Sequence, residues 1–203
     1  MSETDSTHPY VFIIESVELE DEGNGHFEGE VISKILTFSN IEHQYHYIRT
    51  ATEFRHFISV FQQSNYRYLH IACHGNEEFL AMTLEDIDFK ELGLILQPVL
   101  DKKRLFISAC AATNDKFANE IFGVTECYSL IGPKEKPNMN DSAIFWSSFY
   151  HLMFKESEDV MKRDVLKMHL GTLSLLYKIP IKYYTNNGSK QGWRILDVFK
   201  QPD

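Results

Sequence analysis

Two short runs carry residue types that do nucleophilic chemistry. Ala72-Cys73-His74-Gly75 follows the apolar run Tyr68-Leu69-His70-Ile71, and Ser108-Ala109-Cys110 follows Leu105-Phe106-Ile107. Each reads as a buried strand that ends on a reactive side chain, and the chain between them is long enough for one crossover helix. If the two strands are parallel neighbours, His74 and Cys110 meet at one edge of a sheet, as a thiol nucleophile and its imidazole base require. A free thiol has a reference pKa of about 8.5 and is little ionised near neutrality, so a base that takes its proton raises its reactivity. Gly75 permits a sharp turn and close backbone approach. Its N–H, with that of Cys110, can form an oxyanion hole, where one donor is typically worth about 2.7–4 kcal/mol.

The other reactive residues read more plainly. Cys73 and Cys127 are small core side chains, and His70 is a hydrogen-bonded core histidine in mid-strand. Adjacent strand residues point to opposite faces, so Cys73 and His74 do not readily share an ion. No metal site is therefore expected from His70, Cys73, His74 and Cys110, and no cofactor is expected. His43 and His46 read as a solvated strand edge. Gly23-Asn24-Gly25 lacks the Lys and Ser/Thr of a phosphate-binding loop.

The elements that must position the pair are legible from periodicity. Tyr10 to Ile14 is a continuous apolar run of the buried parallel type. Residues 21–25 read as a loop and residues 28–39 as a helix. Tyr45 to Arg49 is a second strand, and Phe54, Phe57, Ile58 and Phe61 mark an amphipathic helix. Tyr66 to Cys73 is the third strand, residues 76–86 an acidic solvated loop, and Phe89 to Leu100 a helix broken near Gly93 or Pro98. Arg104 to Ala109 is the fourth strand. A short helix with Phe117, Ala118 and Ile121 closes at Gly123, and Cys127 to Ile131 is the fifth strand. Asp141 is a plausible N-cap for a helix to Lys155, and a longer helix spans Glu158 to Lys178. Ile181 to Thr185 and Trp193 to Phe199 are late strands around an Asn186-Asn187-Gly188 turn. Alternation of strand and helix predicts an α/β class with a mainly parallel sheet, whose sites form at the carboxyl ends of strands.

Composition bounds the function. The 203 residues suffice for one domain with a substantial core. The expected organisation is a polar tail at 1–9 and a single domain at 10–200. The net charge of −9 argues against nucleic acid as the main partner. Three widely spaced cysteines without a C-x-x-C pair fit a reducing compartment. With no signal-peptide pattern and no bilayer-length apolar run, the expectation is a cytoplasmic protein without a membrane partner.

The runs Tyr-Leu-His-Ile-Ala-Cys-His-Gly at 68–75 and Leu-Phe-Ile-Ser-Ala-Cys at 105–110 resemble the caspase-like cysteine peptidases. This clan includes caspases, metacaspases, separases, clostripain-type peptidases and bacterial CHAT domains, and the nearest likeness is to CHAT-type members. The resemblance covers roughly residues 10–200. It implies a three-layer sandwich with a mainly parallel central sheet of about six strands flanked by helices. It also implies Cys110 as nucleophile, His74 as base and general acid, and Gly75 and Cys110 N–H groups as the oxyanion hole. Asp141 matches an acidic position that lines the S1 pocket for a basic P1 side chain in separase and CHAT members, which implies cleavage after Arg or Lys. Metacaspases often place Asp two residues before the cysteine, where this chain has Ser108, and no arginine motif for reading aspartate, as in caspases, is present. The implied partners are a protein or peptide substrate and a regulatory or activating protein, and the implied setting is bacterial defence or regulated cell death. Two competing readings are a catalytically silent interaction module and another cysteine hydrolase, such as an amidase or transpeptidase, on a similar sheet.

Overall fold

A computed structural model describes residues 7–122, 125–156, 161–188 and 192–198. The first strand, β1 (His8–Glu15), shows how the layers are built. Its side chains alternate between two separate cores. Phe12 and Ile14 join one apolar cluster and Val11 and Ile13 the other. A strand buried on both faces has no polar alternation, and this explains the uninterrupted apolar run.

Two helices follow, the short α1 (Leu19–Asn24) and α2 (Glu28–Phe38), and then β2 (His43–Tyr47). Helix α3 (Ala51–Ser64) starts on a capping box in which the Thr50 side chain accepts from Glu53 N–H and the Glu53 side chain reaches back to the Thr50 backbone. Strand β3 (Tyr66–Ala72) leads into a small antiparallel sheet of β4 (His74–Gly75), β5 (Phe79–Ala81) and β6 (Asp86–Asp88). The expected solvated loop at 76–86 is thus partly strand. Its acidic residues face water while Leu80 and Ile87 between them are fully buried and anchor it.

Helix α4 (Phe89–Leu96) runs into a 3-10 turn at Gln97–Val99, so the predicted break falls at Pro98 and not at Gly93. Strand β7 (Arg104–Ser108), helix α5 (Asp115–Phe122) and strand β8 (Ser129–Pro133) complete the parallel part. The predicted stop at Gly123 lies outside the described residues. A Cβ at Gly132 would stand 2.3 Å from the Ile107 carbonyl oxygen, so glycine is what lets β8 close on β7. Helices α6 (Met139–Glu156) and α7 (Arg163–Tyr177) precede β9 (Ile181–Asn186) and β10 (Trp193–Leu196). The ends of the predicted elements at 158 and 199 also lie outside the described residues, as do residues 1–6 of the expected tail. His8 and Pro9 belong to β1 and not to a tail.

The main sheet has seven strands in the order β10-β9-β8-β7-β3-β1-β2, one more than expected because β9 and β10 both join it. The pairs from β2 to β8 are parallel; β9 and β10 are antiparallel to their neighbours. Helices α3, α4 and α5 cover one face and α2, α6 and α7 the other, giving the expected three layers. Among the described residues no helix is long and apolar enough to cross a membrane.

Candidate active site

Strands β3 and β7 are parallel neighbours, with Ala72 opposite Ser108 as the last pair of the register. His74 and Cys110 each lie two residues beyond that pair. Cys73 N–H still donates to the Ser108 carbonyl at 3.0 Å, which holds the two strand ends together just before they part. β3 turns away into β4, and β7 turns sharply at Ala111, a non-glycine residue at φ 53°. The Asn114 side chain donates to the Ala111 carbonyl at 2.9 Å and braces that turn. Both chains leave the sheet beside a pocket of about 370 Å³, and His74 and Cys110 both line it.

The thiol and the imidazole share the pocket without a hydrogen bond between them. His74 instead bonds Asp21 through Nε2, at 2.8 Å from Oδ2. That leaves Nδ1 as the ring nitrogen free to serve a thiol. Asp21 sits on α1 and is held on its other oxygen by His26 Nδ1 at 3.2 Å. Burial alone would raise the Asp21 carboxyl, but the hydrogen bonds from His26 and His74 outweigh it and hold the group below its ordinary value. An ionised Asp21 fixes the ring orientation of His74 and favours the tautomer with a proton on Nε2.

The two cysteines nearest the pocket differ in reactivity. Burial pushes the Cys73 thiol well up, with the nearby Cys110 and two carboxylates adding to the effect. Burial raises Cys110 as well, while the Lys136 charge pulls the other way. A thiol that is not ionised beforehand needs a base at the moment of attack, and His74 lines the same pocket. Cys127 is fully buried with its sulfur near the Lys103 and Ser129 carbonyls, as a core cysteine should be.

The floor of the pocket is acidic, and its carboxylates come from residues that the sequence reading did not single out. Glu15 ends β1, and its carboxyl accepts from Gly29 N–H at 2.7 Å, Glu30 N–H at 3.2 Å and Tyr45 OH at 2.8 Å. It thereby caps α2, whose own N-cap Phe27 offers no side-chain acceptor. Burial nevertheless pushes Glu15 up to about 7, against the pull of those donors. Glu28, the first residue of α2, also lines the pocket. Its Oε1 has no hydrogen-bond partner and stands 3.7 Å from His70 Nε2, which is also unpartnered. His70 is fully buried and bonds Tyr150 OH through Nδ1 at 2.9 Å, so it is a core histidine as expected.

Asp141, the residue expected at S1, stands between the pocket residues Asn140 and Ser142. It is exposed in the first turn of α6 and is not part of the pocket wall. It is not the N-cap either. The helix begins at Met139, and the side chain of the preceding Asn138 accepts from Asn140 N–H at 2.9 Å. The next residue, Ser142, does line the pocket and bonds Ser108 hydroxyl to hydroxyl at 2.9 Å. Gly75 adjoins the wall through His74 without lining it. A Cβ there would meet the Phe79 carbonyl oxygen at 2.9 Å, so the tight approach expected of this glycine is present on its β5 side.

No protein-family model matches this sequence, and no curated protein is similar to it. Solved structures do share its fold. The inactive zymogen of a C11 protease from Parabacteroides distasonis superposes with a TM-score of 0.60 at 14% identity, over 89% of this chain and 62% of that one. A secreted C11 cysteine protease from Bacteroides thetaiotaomicron, iotapain, superposes with a TM-score of 0.53 at 12% identity, over 89% of this chain and 67% of that one. The chain thus spans less than two thirds of the length of the first of these. The likeness is one of fold, the caspase-like α/β sandwich with helices on both faces.

Proposed function

We propose that this chain is a caspase-like cysteine endopeptidase that cuts protein substrates after a basic residue, with Cys110 as nucleophile and His74 as its base. The observation that carries the reading is geometric. Two adjacent parallel strands deliver a histidine and a cysteine to one pocket, each two residues past the last paired position. The fold shared with C11 proteases supports it, and so does the acidic floor.

In this mechanism Cys110 Sγ attacks the scissile carbonyl while His74 Nδ1 takes the thiol proton. The tetrahedral oxyanion is received by backbone N–H groups, those of Gly75 and Cys110 being the candidates. His74 then gives its proton to the leaving amine, and water hydrolyses the acyl-enzyme with the imidazole again as base. Asp21 acts through His74 and is a positioning residue. Asp21→Asn is expected to lower kcat about tenfold to a hundredfold with KM little changed, a loss smaller than the 10²–10⁴ that a general base itself contributes. Asp21→Glu should restore part of it. A rise in KM alone would assign Asp21 to substrate binding instead.

The likeness to CHAT-type members, control by a partner protein and a role in bacterial defence belong to this proposal through the sequence motifs alone. The competing reading, a silent interaction module, draws on the raised thiol and the missing Cys–His hydrogen bond. An electrophile that mimics a peptide with Arg or Lys at P1 separates the two. Mass spectrometry should find one adduct per chain, on Cys110. An unlabelled Cys110 beside a folded protein would favour the module.

A further inference from the structure

A second pocket lies at the other edge of the sheet, where β3 and β7 begin. It encloses about 750 Å³, within the usual range of small-ligand sites. Arg67, Lys102, Lys103 and Arg104 line it, with Asp101 as the one acidic residue on the wall. Four of the 20 basic residues of a chain with net charge −9 are therefore gathered in one place.

Lys103 is what makes this more than a basic rim. It is only 6% exposed, yet among the described residues its ammonium has neither a hydrogen bond nor an ion pair. Its sole polar contact is the face of the Phe61 ring, 4.2 Å from the centroid. Burial without a counter-ion pulls its pKa down to about 8. Among the described residues Arg104 is held by neutral groups, the Ser129 hydroxyl at 3.0 Å, the Tyr183 hydroxyl at 3.3 Å and the Met161 carbonyl at 3.2 Å. Those bonds orient its guanidinium without neutralising it. Among the described residues Asp101 forms no ion pair with Lys103 or Arg104. Elsewhere on the molecule Lys34, Arg49, Arg55 and Lys116 each have a glutamate partner. Lys102 occupies a left-handed conformation at φ 55° just before the buried lysine, so the turn that presents the pair is costly for its residue type.

We propose that this pocket binds a small phosphorylated ligand, with Lys103 as the buried anchor, Arg104 as an oriented second cation and Lys102 at the rim. Lys103 buries its stem while its ammonium reaches the pocket without a carboxylate partner among the described residues, and a multiply charged anion is what the gathered cations would attract. The fork of an arginine and the point charge of a lysine together match phosphate oxygens better than a carboxylate. The site is separate from the candidate active site. Arg104 and Arg67 sit at the starts of β7 and β3, while Cys110 and His74 lie past the opposite ends of the same strands.

Calorimetric titration with inorganic pyrophosphate at low ionic strength tests this, with chloride at matched ionic strength as the comparison. Saturable one-site binding is expected from pyrophosphate and none from chloride. Lys103→Met should weaken it at least about tenfold, the value of one charge-assisted hydrogen bond. The same variant should keep or raise the thermal midpoint, since methionine packs on Phe61 with no charge to desolvate. Lys102→Glu, on the exposed rim, should weaken binding without touching the core, and it decides the matter if Lys103→Met fails to fold. No saturable heat from pyrophosphate, equal response to chloride, or undiminished binding by both variants overturns the proposal.

Discussion

Cys110→Ala is expected to remove peptide hydrolysis, by at least about 10³-fold in kcat/KM on a peptide with Arg at P1. That factor corresponds to about 4 kcal/mol of transition-state stabilisation. It is large because the alternatives in the pocket are poor. Cys73 is the only other thiol on the wall, and burial pushes it further from ionisation than Cys110. Asp21 is already engaged by two histidines and cannot double as a general base for water without leaving His74. The variant itself should fold normally. Cys110 is half-buried at the start of a turn, and its side chain makes no hydrogen bond whose loss would leave a buried partner stranded. Unchanged circular dichroism and thermal midpoint beside lost activity would place the loss in chemistry. Activity retained in Cys110→Ala but lost in Cys73→Ala would move the nucleophile to the wrong side of the strand end and end the present mechanism.

The parts of this site that could be read from sequence share one property: each is local. A run such as Tyr68 to Ala72 announces a doubly buried strand through its own composition, and the reactive residue follows at once. The same holds for Leu105 to Cys110. The α/β class with a mainly parallel sheet was legible too, because helices with apolar stripes alternate with continuous apolar strands, while the three layers came from the resemblance to caspase-like peptidases. What escaped depends on which strand ends are brought together. Asp21 lies six residues past the end of β1, and only the order β7-β3-β1 places that segment beside His74. Read alone, Asp21-Glu22-Gly23-Asn24-Gly25 has the composition of a turn, and the six-residue helix that forms there has no buried side chain to give it a period. Glu15 and Glu28 are hidden for a related reason. One ends an apolar run and the other opens a helix, positions where a carboxylate usually caps or faces water. Their meeting needs β1 and α2 to pack together. Asp141 is a different case. Its place just before a helical pattern made it a plausible N-cap, but the helix starts at Met139 and leaves that side chain exposed.

The proposed preference for a basic P1 residue is expected to follow Glu28 and not Asp141. Glu15 is a weaker candidate for the charge, since three donors already occupy its oxygens and burial lifts it to about 7. Glu28 lines the pocket that also holds the nucleophile, and its Oε1 makes no hydrogen bond, with only the His70 ring nitrogen 3.7 Å away. A buried acceptor left open costs about 1–3 kcal/mol and more when charged, and the ammonium or guanidinium of a substrate would supply the missing donor. Each charge-assisted hydrogen bond is worth about 1.5–3 kcal/mol, so Glu28→Gln should lower kcat/KM for Arg and Lys at P1 by about 10²-fold. Peptides with an uncharged P1 residue of similar length should be little affected, because they never used the charge. The thermal midpoint serves as the control: a general loss on all substrates with a lower midpoint would mean that α2 had shifted. Asp141→Ala, measured on the same peptides, should leave the ratio of basic to neutral P1 as it is. If the ratio collapses in Asp141→Ala and survives in Glu28→Gln, the substrate side chain leaves the pocket toward α6, and the acidic floor has another purpose.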